Sequence, residues 1–181
     1  RRKSAFVVLF LGLGRGFRGG MGRGMGTGFG MGYGWNPRLY APPYPYAMDA
    51  AGVNILLTVN AAPGWARDSD QEKGPPSDYT TYANFVGLLA QRYKGRVDAY
   101  EVWNEPNLRR EWNTPKGISA SSYVELLRLA FTAIKLSDPK AVVVTGGLAP
   151  TGFNDGVNAI DDRVYLRQMY AAGCKACMDG L

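Results

Sequence analysis

From residue 53 onward the apolar positions alternate between two rhythms. Val53 to Val59 is a short run of leucine and β-branched residues, which predicts a buried strand. Asp78 can cap a helix that buries Tyr82, Phe85, Val86, Leu89 and Tyr93 and stops at Gly95. Val97 to Trp103 predicts a second strand. A second helix follows, with Ser122-x-x-Glu125 as its capping box and Tyr123, Leu126, Leu127, Ala130, Phe131 and Ile134 on one face. Asp138-Pro139 ends it. Ala141 to Thr145 predicts a third strand. Asp161 and Asp162 open a third helix that runs to Gly173, and Ala176 to Leu181 predicts the start of a fourth strand. Strands alternating with helices imply right-handed crossovers and a parallel sheet. Barrel and doubly wound sheet both fit this α/β pattern. In either, chemistry sits at the carboxyl ends of the strands, which here means residues 60–66, 103–113 and 146–156.

The front of the chain lacks this rhythm. Arg1-Arg2-Lys3-Ser4 precedes an apolar run from Ala5 to Leu11. That start reads either as a secretory signal, which would make the protein extracellular, or as a buried strand. The run is too short to span a bilayer. From Gly12 to Gly34, twelve of 23 residues are glycine, too little side chain to offset backbone entropy, so a disordered arm is expected. Gly14-x-Gly16-x-x-Gly19 matches a dinucleotide fingerprint, but glycine recurs to Gly34 and no helix can open behind it. Arg15, Arg18 and Arg23 among Gly and Phe resemble RGG segments that touch RNA; a solvated arm is the plainer reading. Residues 35–46 read as an irregular connection. The expected division is therefore 1–46 as arm and linker and 47–181 as the folded domain.

Charge follows the same division. The formal net charge of +6 comes from the arm, because residues 1–40 hold seven Lys/Arg and no acid. The remainder holds 14 basic and 15 acidic side chains, so it does not read as a basic nucleic-acid-binding domain. Histidine is absent, which excludes Ser-His-Asp and Cys-His relays and imidazole zinc sites. Cys174-x-x-Cys177 has no second pair, and buried small side chains are the expectation there.

The strongest chemical signal is Tyr100-Glu101-Val102-Trp103-Asn104-Glu105-Pro106-Asn107. Strand alternation would put Glu101, Trp103 and Glu105 on one face, with Glu105 at the rim. A carboxyl there, walled by tryptophan and partly desolvated, suits a general acid. An exposed glutamate in a turn is the competing reading.

Trp103-Asn104-Glu105-Pro106 resembles the acid/base motif of retaining glycoside hydrolases of the (β/α)8 clan A, nearest to family 39 and the cellulase families. The likeness extends to Ile55–Val59 with Ala62-Pro63-Gly64-Trp65-Ala66, to Tyr82–Gly95, to Gly146-Gly147-Leu148-Ala149-Pro150 and to Tyr165–Gly173. It implies a partial TIM barrel, strands three to six, over residues 47–181. Glu105 would protonate the leaving glycosidic oxygen and then deprotonate the attacking water. Asn104 would bond the hydroxyl next to the anomeric carbon. Trp103, Trp65 and Trp112 become candidate sugar platforms. The implied partner is a carbohydrate, with no cofactor and no metal.

The departures are specific. The family's nucleophile is a second glutamate on the seventh strand, and no such position is identifiable here. Glu101 is an unsuitable stand-in, since four residues of straight strand separate it from Glu105 by roughly 13 Å at ~3.3 Å per residue. Residues 1–46 carry no likeness to the family. The 181-residue chain alone is therefore expected to hydrolyse no glycoside. The alternative function is a non-catalytic barrel piece or binding module whose arginine-glycine arm contacts nucleic acid.

Overall fold

A computed structural model describes residues 3–12, 44–68 and 73–181. The glycine-rich stretch, and with it the expected disorder and RNA contact, lies outside the described residues. Four strands form one parallel sheet in sequence order: β1 (Lys3–Gly12), β2 (Val53–Asn60), β3 (Ala99–Val102) and β4 (Val142–Thr145). The helices are α1 (Tyr44–Ala50), α2 (Tyr79–Arg92), α3 (Ala120–Ser137) and α4 (Asp162–Ala171). Because the strands run parallel, Asn60, Val102 and Thr145 end at the same side of the sheet. Among the described residues, no helix is long and apolar enough to cross a membrane.

Within the apolar start, Val7 to Leu11 pair in register with Ile55 to Val59. β1 belongs to the same sheet, and α1 begins at Tyr44, where irregular chain was expected. Helix α1 is seated by the Arg96–Asp49 ion pair at 3.1 Å and by Tyr46 against Tyr93, ring centroids 5.5 Å apart.

Each of the later helices starts on a side-chain cap. Asp78 accepts from the Thr80 amide at 2.9 Å, and Asp161 from the Arg163 and Val164 amides. For α3 the cap is Ser119, which accepts from the Ser122 amide at 3.2 Å. The expected capping box at Ser122 is thus one turn too late, because Ser119 already satisfies the free amide. Gly95, with φ of 70°, stops the turn after α2, a conformation that favours glycine. The apolar faces of α2 and α3 bury Tyr82, Val86, Leu89, Tyr123, Leu126 and Leu127 against the sheet and each other.

The expected fourth strand over 176–181 is reduced to a single parallel bridge, Val144 to Gly180. The chain spends Cys174–Cys177 in a 3₁₀ turn after Gly173, and strand geometry starts too late to extend. Both thiols are buried, and burial pushes them up from the ordinary range, in keeping with the small-core reading of that pair.

Candidate active site

The carboxyl end of the sheet is built on two buried tyrosines. Tyr82 donates to the Val59 carbonyl at 2.7 Å, and Tyr123 donates to the Val102 carbonyl at 2.8 Å. Burial foremost raises both phenols, so they remain donors across the working pH range. Tyr123 also accepts from the Gly146 amide at 2.7 Å. Gly146 lies against the β3 backbone so closely that a Cβ there would sit 2.8 Å from the Trp103 carbonyl carbon. Only glycine permits that approach.

β3 leaves strand geometry immediately after Val102. Trp103 has φ of 73° and Glu105 φ of 46°. This breaks the alternation that was to place Glu101, Trp103 and Glu105 on one face. Trp103 turns into the aromatic core, 5.9 Å from Tyr82 and 5.6 Å from Trp112, and donates its indole N–H to the Glu111 carbonyl at 3.0 Å. Trp103 and Trp112 are both 0% exposed, which corrects the expectation that they are sugar platforms. Their faces are filled by Tyr82, Tyr79 and Tyr123 and by each other. Trp65, in the turn after β2, is 59% exposed.

Glu105 stands at the rim as expected, with other neighbours. Its carboxylate accepts from Arg110 Nη2 at 2.9 Å; the arginine is 70% exposed and the glutamate 29%. An ion pair thus replaces the expected tryptophan wall. The bonded carboxylate pushes Arg110 up from its ordinary value. The Glu105 amide donates to the Gly147 carbonyl at 2.9 Å, tying this residue to the loop after β4. Asn104 beside it is half-buried.

The loop behind Glu105 is locked by Asn107, a residue whose importance the sequence reading missed. Asn107 is fully buried. Its amide nitrogen donates to the Ala149 and Ile160 carbonyls at 3.0 and 2.9 Å, and its amide oxygen accepts from the Ala149 amide at 2.9 Å. The bonds Ile160 N to Asn107 O and Arg109 N to Asn158 O, each 2.9 Å, complete the seam. A buried polar residue in a loop motif was the available signal, since such a group must find partners. Asp155 organises the facing loop. Its carboxyl is held down to about 2, chiefly by the Ala159 amide and then by the amides of Val157 and Asn158. Between the two loops lies an open depression of ≈530 Å³ lined by Leu108, Arg109, Arg110, Ala149, Pro150, Thr151 and Asn158. Among the described residues, no group of three His, Cys, Asp or Glu side chains is arranged to hold a metal ion.

No family model matches the sequence, and no curated protein does. Solved structures match in shape. The GH39 enzyme from Xanthomonas axonopodis pv. citri aligns with a TM-score of 0.54 at 18% identity, over 74% of this chain and 26% of that one. The chain resembles glycoside hydrolases in fold. A GH39 β-xylosidase from Caulobacter crescentus aligns at 0.49 and 22% identity, over 77% of this chain and 37% of that one. A family 39 glycoside hydrolase from the gut symbiont Bacteroides cellulosilyticus WH2 aligns at 0.44 and 21% identity, over 59% and 22%. The chain therefore spans between 22% and 37% of the length of these three relatives in glycoside hydrolase fold.

Proposed function

We propose that this chain forms part of the catalytic (β/α)8 barrel of a retaining glycoside hydrolase related to family 39, with Glu105 as general acid and base. In this reading β2, β3 and β4 are the third to fifth barrel strands, and the segment at Gly180 opens the sixth. One observation carries the proposal: Glu105 is a carboxylate at the carboxyl end of a parallel strand, fixed at its backbone and partly exposed at its side chain. A double displacement needs such a group to protonate the departing oxygen and then activate water. Arg110 is no obstacle. An exposed pair is worth at most about 1 kcal/mol, so an entering sugar displaces it. Asn104 would bond the hydroxyl beside the anomeric carbon, and Trp65 would offer a stacking face. The nucleophile would come from outside these 181 residues.

In a completed barrel, Glu105→Gln keeps the shape and removes the proton donor. Hydrolysis of glycosides with poor leaving groups should fall by about 10²–10⁴-fold, the usual worth of general acid–base help. Activated aryl glycosides should lose much less in the glycosylation step. Equal, minor losses on both substrate types would remove Glu105 from the mechanism.

A further inference from the structure

The candidate mechanism does not use Glu101, although it is a half-buried carboxylate one strand position before Val102. In the sheet register Glu101 lies between Thr58 on β2 and Val144 on β4. Thr58 is fully buried, and its hydroxyl donates to Glu101 Oε2. The other carboxylate oxygen, Oε1, accepts from the Gly147 amide at 3.0 Å. Gly147 then accepts from the Glu105 amide at 2.9 Å through its own carbonyl. Glu101 and Glu105 therefore meet at the two ends of one residue, although straight-strand spacing would keep them apart. The bend that brings them there is the pair of positive φ values at Trp103 and Glu105.

We infer that Glu101 is a positioning residue for Glu105, acting through Gly147. Non-glycine residues at positive φ are strained, and they persist where surrounding bonds over-determine the backbone. The Glu105 amide has one such bond, to Gly147, and Gly147 is itself pinned by Glu101. The charge on Glu101 strengthens that pin, because a carboxylate accepting from an N–H makes a stronger bond than a neutral acceptor does. Thr58, lodged in the sheet, fixes the carboxylate in turn. The consequence for catalysis rests on the proposed acid/base role of Glu105; the positioning itself does not.

Amide hydrogen exchange on the 181-residue chain tests the positioning. Glu101→Met should quicken exchange at both Gly147 and Glu105 by about 10-fold or more, the worth of one lost hydrogen bond to a charged acceptor, and leave Leu126 in the core unchanged. Glu101→Gln restores an acceptor and should recover most of the protection at both. Thr58→Val, nearly isosteric, should give the same pattern at smaller amplitude, and decides the matter should Glu101→Met not fold. Faster exchange at Gly147 with an unchanged Glu105 overturns the inference, as does failure of Glu101→Gln to rescue. An N-bromoacetyl glycosylamine, which can alkylate a carboxylate at the leaving-group position, supplies the functional readout. Its rate of labelling Glu105 should fall in Glu101→Met and recover in Glu101→Gln. Absence of sugar-protected labelling in the unmodified chain would sink the glycosidase reading and leave the exchange result to judge Glu101.

Discussion

The two ends of the sheet treat their carboxylates differently. At the amino end, Asp98, Asp138 and Asp179 are spent on backbone amides. Asp98 accepts from Ile55 at 2.9 Å, Asp138 from Gly95 at 2.8 Å, and Asp179 from Val143 at 2.8 Å while pairing with Lys135 at 2.6 Å. These bonds sew one strand or turn to the next. At the carboxyl end Glu101 is spent in the same way, between Thr58 and Gly147, whereas the Glu105 carboxylate engages a surface arginine. Acids at one end hold structure together. At the other end, Glu105 is held through its backbone amide while its carboxylate pairs with a surface arginine.

The largest expected effect tests whether the carboxyl-end loops form one locked unit. Asn107→Ala strips partners from Ala149 and Ile160 in a buried seam, and should cost about 3–5 kcal/mol at ~1–3 kcal/mol for each unsatisfied group. Urea denaturation measures this, and a loss under about 1 kcal/mol would mean that the seam re-forms without the side chain. At the amino end, Asp98→Ala orphans the Ile55 amide and should cost about 1–3 kcal/mol in the same assay. Glu105→Gln should stay within about 0.5 kcal/mol of the parent, since its partner is exposed. A destabilisation matching Asp98→Ala would erase the contrast between the two ends.

The smallest effect is local and set by pH. The Asp155 carboxyl sits at about 2, below its ordinary 3.8, because the Ala159, Val157 and Asn158 amides bond the charged form. A depressed pKa contributes order that is present above the ordinary value and lost as pH falls through the folded one. The amide proton shifts of Val157, Asn158 and Ala159 should therefore hold steady above pH ~3 and move together through a midpoint near 2. A midpoint at the ordinary aspartate value would show that these bonds contribute nothing to the loop.

Much of this arrangement is legible in the chain. The strand at Val53–Asn60 and the helices behind Asp78 and Asp161 follow from periodicity and capping chemistry, because each depends on near neighbours. The fate of Trp103 and Trp112 did not follow. Alternation assumes a strand, and the chain leaves strand geometry at Trp103, which has positive φ and packs closely against Gly146 from a distant loop. Arg110 beside Glu105 and the pairing of Lys3–Gly12 with β2 are likewise long-range contacts, which local rhythm does not encode. The cap at Ser119 was misplaced for a different reason: Ser119, Ser121 and Ser122 offer competing hydroxyls within one turn.

The central claim is that Glu105 is a carboxylate presented to a bound sugar. The direct measurement is to incubate the 181-residue chain with an N-bromoacetyl glycosylamine, with and without excess free sugar, and to map the modified peptides by mass spectrometry. The account predicts a single dominant ester on Glu105, suppressed by the free sugar and missing from Glu105→Gln. Label spread over exposed acids such as Asp155 and Glu125, indifferent to sugar and unchanged by Glu105→Gln, would contradict it.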